Sequence, residues 1–147
     1  MIIREFSEQD IDEITNLMKN LCEMKGQEFD EERWRSSLEN QMKKDSNSEA
    51  IVAFDKNTNK VLGMAQCSIK NSDNGFRFGY ISNLIVKEEK RRSGIGEKIM
   101  RNIVDYFKRN HINSIKLVLK TNLDDAAKIL FTKLGFEEIL KVLELRI

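Results

Sequence analysis

The sequence predicts a mixed α/β fold, because strands joined by short turns in its middle are followed by a strand–helix–strand–helix–strand unit. Short turns pair neighbouring strands antiparallel, whereas a helix between two strands of one sheet implies parallel pairing. The 147 residues suggest one domain, 1–147, with enough chain for a real core. We find no internal repeat or linker that would divide it.

The first third of the chain contains a predicted strand, Ile2 to Phe6, and two helices. Ser7 is the predicted N-cap of the first helix and Gly26 ends it. Apolar residues recur along this helix at helical spacing: Ile11, Ile14, Leu17, Met18 and Leu21. The second helix begins near Asp30 and carries Trp34, Leu38 and Met42 on one face.

The middle of the chain predicts three strands: Ala50 to Phe54, Val61 to Ile69 and Phe76 to Val86. In the last third, predicted helices and strands alternate. The apolar stripe Ile95, Ile99, Ile103 and Phe107 predicts a helix, which is followed by a predicted strand from Ser114 to Leu119. The apolar positions from Leu123 to Leu134 predict a further helix, and Phe136 to Ile147 is a predicted final strand.

Composition excludes several classes of function. The 25 basic and 24 acidic residues nearly cancel, and no basic face predicts a nucleic-acid partner. No apolar run approaches the roughly 20 residues of a membrane span, so we expect a cytoplasmic protein. Cys22 and Cys67 lie far apart, and His111 is the only histidine. We therefore expect two reduced cysteines and no metal site.

The segment from Leu84 to Met100 carries the clearest chemical signal. It places a strand, a charged turn, two glycines and an amphipathic helix in succession. A helix N-terminus opened by glycines offers free N–H groups to an anion, and Arg91 and Arg92 add positive charge. These features fit a pyrophosphate, although a plain tight turn before a helix explains Gly94 and Gly96 about equally well when they are considered alone.

Two familiar phosphate loops fail on spacing. The Walker-type loop needs a Gly, four residues and then Gly-Lys-Ser/Thr, and the sequence lacks that pattern. The dinucleotide fingerprint needs a third glycine where Ile99 stands.

The arrangement Arg91-x-x-Gly94-x-Gly96 resembles the acetyl-CoA motif of the GNAT N-acetyltransferases, Gln/Arg-x-x-Gly-x-Gly/Ala. The preceding segment Ile81 to Val86 is similar to the family's fourth strand, which carries a bulge. A second match lies downstream, where Ala127, Phe131, Gly135 and Phe136 fit the family's last-helix segment. The resemblance spans nearly the whole chain and implies a central mixed sheet of about six to seven strands flanked by four helices.

The resemblance also implies a mechanism and a set of residues. Pantetheine would pair with the backbone near Leu84 and Val86, the pyrophosphate would sit on the N–H groups before the helix, and the Leu84 N–H would contact the oxyanion. The residues assigned to acetyl-CoA binding are Leu84, Ile85, Val86, Arg91, Arg92, Ser93, Gly94, Ile95, Gly96, Asn122 and Phe131.

The acid–base groups depart from the family's pattern. Phe131 occupies the position of the tyrosine that often protonates the leaving thiolate, and Ser82 and Asn83 occupy the positions of a frequent acid. Tyr80, Ser82 and Glu28 are the candidate bases. The first residue of the last-helix motif is Asp124 instead of Asn, so Asn122 is its nearest substitute.

These features predict an N-acetyltransferase that moves an acetyl group from acetyl-CoA to a primary amine by direct attack in a ternary complex. The alternatives are a non-catalytic acetyl-CoA-binding module and a protein-interaction domain without a cofactor. The acceptor is expected to be a small molecule or peptide. The acidic residues between Cys22 and Leu38 would suit a cationic amine. A homodimer remains an alternative to a monomer.

Overall fold

A computed structural model describes residues 1–24, 26–43, 47–87, 94–118 and 125–147. Its five strands form one sheet in the order β1-β2-β3-β4-β5. The pairs β1–β2, β2–β3 and β3–β4 are antiparallel, and β4–β5 is parallel. The strands are β1 (Ile2–Glu5), β2 (Ser48–Asp55), β3 (Lys60–Asn71), β4 (Arg77–Val86) and β5 (Ile115–Leu117). The predicted mixed α/β class is confirmed.

Within the described residues, four α-helices accompany the sheet, as predicted: α1 (Ile11–Met24), α2 (Glu31–Met42), α3 (Ile95–Arg109) and α4 (Asp125–Lys133). Two apolar clusters divide the fold. One joins α1 and α2 to side chains such as Met64 and Ile85 on one face of the sheet. The other joins α3 and α4 to side chains such as Ala65 and Ile81 on the opposite face. In the described part of the chain, no helix is long and apolar enough to cross a membrane.

The helix α3 follows directly from its sequence pattern. Its residues Ile95, Ile99, Ile103 and Phe107 are all buried, as their spacing predicts. A Cβ on Gly79 would lie 2.7 Å from the Phe107 ring, so this glycine lets α3 pack closely against β4. This contact fixes the helix on the sheet.

The entry to α1 is fixed by a partly buried ion pair. The Arg4 guanidinium binds the Asp10 carboxylate through two hydrogen bonds of 2.7 and 2.8 Å, and the Ser7 N–H donates to the same carboxylate at 2.9 Å. Asp10 is buried on a short 3-10 turn, Glu8–Asp10, just before α1. Ser7 is the N-cap of that turn, so the predicted cap residue caps the 3-10 turn and not α1 itself, which begins at Ile11.

The predicted final strand is wrong. Residues 136–147 form no strand, and the described sheet has five strands instead of six or seven. The Ile139 and Leu143 side chains are 74% and 91% exposed, so no neighbouring strand covers this segment. An apolar sequence favours a strand, but a strand forms only where its backbone makes hydrogen bonds with a neighbouring strand. The local sequence does not say whether such a neighbour is present.

Candidate functional site

The parallel pairing of β4 with β5 covers only the first part of β4 among the described residues. Its register runs from Gly79↔Ile115 to Ile81↔Leu117. Beyond that point, β4 still pairs with β3 up to Val86↔Gly63. We call the edge of β4 that faces away from β3, from Ser82 to Val86, the slot.

A β-bulge lies where this pairing stops. In the β3–β4 register Gln66 faces Asn83 and Cys67 faces Ile81, so Ser82 is the extra residue. The Ser82 hydroxyl donates to the Gln66 carbonyl at 3.2 Å. Bulges bend a strand and redirect its side chains and pairing, and this one directly follows the last described pair of β4 with β5, Ile81↔Leu117.

The backbone direction after the bulge can be worked out from one hydrogen bond. The Lys87 N–H donates to the Leu62 carbonyl of β3 at 2.8 Å. Alternate N–H groups of a strand point to opposite edges, so the N–H groups of Val86 and Leu84 point toward the slot. The Ile85 backbone points toward β3, and its side chain is buried on the α1–α2 face.

The N-terminus of α3 adjoins this slot. Gly94 is its N-cap with a φ of 83°, and no side chain of the described residues caps the helix there. A Cβ on Gly94 would have no atom of the described residues within 4 Å. The first turn, Ile95 to Glu97, therefore presents backbone N–H groups that no described side chain caps, as an anion site requires.

Gly96 joins three elements at the same place. A Cβ on Gly96 would lie 3.3 Å from Leu130 of α4 and 3.7 Å from Val86 at the end of β4. The α3 N-terminus, the slot-facing end of β4 and the helix that carries Phe131 therefore meet at this glycine. Its lack of a side chain serves packing against α4, whereas Gly94 supplies the open surface.

One acidic residue lies in the first turn of α3, where it would repel an anion. The Glu97 carboxylate binds Arg101 at 2.7 Å and Lys133 at 3.0 Å. These partners, Arg101 first, hold the pKa of Glu97 below its ordinary value, and their two positive charges offset its negative one. The site therefore keeps a favourable electrostatic balance for phosphate groups.

Only some of the other residues predicted to bind acetyl-CoA lie in the described part of the chain. Arg91, Arg92, Ser93 and Asn122 lie outside the described residues. Phe131 is 7% exposed and belongs to the α3–α4 cluster, with its ring 5.6 Å from that of Phe136.

Besides Ser82 at the bulge, the candidate bases Tyr80 and Glu28 lie in different surroundings. Tyr80 is half-buried, and the Lys70 ammonium lies 4.8 Å from the centre of its ring. Glu28 is exposed before α2. No described contact joins either residue to the slot.

A cysteine nucleophile is disfavoured by burial. Cys67 is 2% exposed, and desolvation, with a smaller contribution from Glu49, raises the pKa of its thiol to about 12. The thiol therefore stays protonated near neutral pH. This favours direct attack by an acceptor over a covalent acyl-enzyme.

Sequence reasoning missed one polar pair at the bulge. The Asn83 side-chain amide donates to the Gln66 side-chain oxygen at 2.5 Å, and Gln66 is 2% exposed. A glutamine within the apolar run from Val61 to Ile69 is the signal that could have revealed it, because buried amides need partners. In the described part of the chain, no three His, Cys, Asp or Glu side chains form a metal-binding group.

Comparison with known proteins identifies the class. The family model described as acetyltransferase (GNAT) family matches residues 11–136. The chain therefore belongs to the GNAT acetyltransferase family, whose members use acetyl-CoA. No curated protein matches its sequence.

Solved structures share the fold at low sequence identity. A variant of the BH1408 protein from Bacillus halodurans has a TM-score of 0.82 at 23% identity, covering 100% of this chain and 99% of its own. An aminoglycoside 6'-N-acetyltransferase from Acinetobacter haemolyticus has 0.80 at 18%, covering 99% and 97%. An acetyltransferase from Trypanosoma brucei has 0.76 at 16%, covering 99% of each chain.

Proposed function

We propose that this chain is an acetyl-CoA-dependent N-acetyltransferase that transfers the acetyl group to a primary amine by direct attack in a ternary complex. The observation that carries the proposal is the junction at Gly96, where the N-terminus of α3, which no described side chain caps, meets the end of β4 beyond its described pairing with β5. A pyrophosphate fits the helix end, and a pantetheine arm fits the slot.

The chain's own groups would act in sequence. The amine nitrogen attacks the acetyl carbonyl carbon, and the carbonyl oxygen gains negative charge, which the Leu84 N–H stabilises because it points into the slot. The carbon–sulfur bond then breaks, CoA leaves as a thiolate, and the new amide loses a proton to solvent. Phe131 has no proton to give, and a thiolate near its ordinary pKa of about 8.5 leaves without one.

Binding and turnover test the proposal separately. Calorimetry with acetyl-CoA and with CoA should give saturable binding in both cases, because phosphate and pantetheine contacts dominate. Release of free CoA thiol should then appear with one or more amines from a panel of polyamines, aminoglycosides, amino acids and peptide N-termini. Absence of binding would refute the assignment, whereas binding without turnover on any amine would favour a non-catalytic acetyl-CoA-binding module.

The pH dependence of turnover tests the absence of a dedicated protein base. If the amine must already be neutral, kcat/KM should rise toward the amine's own pKa, and two amines of different basicity should give displaced curves. One inflection shared by both amines between about pH 6 and 8 would show a protein base instead. Tyr80 and Glu28 would then be the residues to substitute first.

A further inference from the structure

The bulge at Ser82 changes which side chain of β4 faces the α1–α2 side. Ile81 and Leu84 both belong to the α3–α4 cluster, although three positions separate them. Without the extra residue, alternation would have placed them on opposite faces. The inserted residue puts Asn83 on the face of Ile85, which packs toward α1 and α2.

The Asn83 amide is oriented by a buried partner. Its Nδ2 donates to the Gln66 Oε1 at 2.5 Å, and the two residues are directly paired in the β3–β4 register. Gln66 is 2% exposed on a face otherwise lined by apolar side chains such as Met64 and Ile85. A buried amide is costly unless it is bonded, so this pair holds Asn83 in one orientation.

We propose that Asn83 binds the attacking amine of the acceptor, and that Gln66 is its positioning residue. The inference rests on the proposed function. Because the Asn83 Nδ2 is engaged by Gln66, the Oδ1 is the end of the amide that can accept an N–H from a substrate. Asn83 precedes Leu84, whose N–H would contact the acetyl group under the proposed function, so an amine held at Asn83 would lie next to the carbonyl it attacks.

This chemistry selects a class of acceptor. A neutral primary amine gives one N–H to the Asn83 Oδ1 and keeps its lone pair for the carbonyl carbon. Its second hydrogen becomes the proton that is lost after attack. A tertiary amine has no N–H to give and cannot form a stable amide. An asparagine also keeps the same charge at every working pH, so it binds the amine without removing a proton.

The experiment compares Asn83→Ala with Asn71→Ala, which removes the same amide from the exposed end of β3, where it pairs with Arg77 in the same strand pair. Spermidine, kanamycin and a tripeptide with a free N-terminus serve as acceptors. We expect Asn83→Ala to lower kcat/KM for the amine by about tenfold to a hundredfold. The Kd for acetyl-CoA should change by less than about twofold, and Asn71→Ala should match the wild type.

A double-mutant cycle tests the role of Gln66. Gln66→Met keeps the length of the side chain but removes the oxygen that receives the Asn83 amide. Asn83→Ala should therefore cost less kcat/KM in the Gln66→Met protein than in the wild type, because the amide has already lost its orientation. Equal costs in the two backgrounds would overturn the positioning role.

The outcomes distinguish a failure of the proposed function from a failure of the Asn83 site. A wild-type protein that neither binds acetyl-CoA nor acetylates any of the three amines refutes the proposed function, and this site with it. If the wild type is active and the folded Asn83→Ala variant has an unchanged kcat/KM, the Asn83 site is overturned while the proposed function stands. If Asn83→Ala does not fold, the side-chain amide resonances of wild-type Asn83 decide the question. They should shift when spermidine is added to the CoA-bound protein, and unchanged resonances would overturn the site.

Discussion

Replacing Gly94 by glutamate tests the phosphate site most directly, because a second glycine supplies a matched control. Gly94 and Gly75 are both exposed and have φ values of 83° and 82°, and a Cβ on either would meet no described atom within 4 Å. Any L-residue in this conformation costs about 1–2 kcal/mol. Gly94→Glu and Gly75→Glu should therefore lose similar amounts of folding stability.

Only the Gly94 variant should lose acetyl-CoA binding. Two unit charges about 4 Å apart near a protein surface repel by about 4 kcal/mol at an effective dielectric constant of about 20. Solvent screening at this exposed position reduces that value, so we expect a loss of affinity of at least tenfold, about 1.4 kcal/mol. The added side chain also fills the open space next to the first turn of α3.

Calorimetry and thermal unfolding of the two variants provide the assay. Gly94→Ala serves as an intermediate, since it has the backbone cost without the charge. If Gly94→Glu binds acetyl-CoA as tightly as Gly75→Glu does, the pyrophosphate does not lie at this helix end. If both glutamate variants lose binding equally, the effect arises from folding, and the electrostatic reasoning fails.

Three further predictions concern other parts of the fold. Cys67→Ala should keep at least about half of the wild-type turnover, since a thiol with a pKa raised to about 12 is no nucleophile; complete loss would indicate an acyl-enzyme. Gly79→Ala should lower the free energy of unfolding in denaturant titrations by roughly 1–3 kcal/mol, because its Cβ would lie 2.7 Å from Phe107; no change would show that the ring relaxes freely. Burial raises the pKa of Asp10, but hydrogen bonds from Arg4 and Ser7 together lower it more. This carboxylate therefore stabilises the fold at pH values above its unfolded-state pKa. That contribution to the free energy of unfolding is lost as the pH falls below about 4. Arg4→Met should weaken this acid dependence, and an unchanged dependence would contradict it.

The parts of the fold that could be predicted are those set by local patterns. Ile95, Ile99, Ile103 and Phe107 recur at helical spacing, and each is buried in α3. A glycine within a strand pattern indicates a bend or a close contact, and a Cβ on Gly79 would lie 2.7 Å from the Phe107 ring.

The parts that could not be predicted depend on distant partners. Residues 136–147 are as apolar as a strand requires, yet Leu143 is 91% exposed. The pairing of Asn83 with Gln66 depends on a register between two strands, and one shifted residue would separate them. Gln66, a single amide in an apolar strand, indicates that a polar partner is needed, but the sequence does not identify that partner.

The bulge at Ser82 links the features on which the proposed chemistry depends. One extra residue directly follows the last described β4–β5 pair and lies at the start of the slot. The same residue shifts the alternation of β4, which places Asn83 on the α1–α2 face while Leu84 stays on the other. An acetyl group bound at the slot edge of β4 and an amine bound at Asn83 on the α1–α2 face would then meet beside one strand. Such an arrangement promotes the reaction by proximity and orientation, which is the contribution available to a site where Phe131 cannot act as an acid and Cys67 cannot act as a nucleophile.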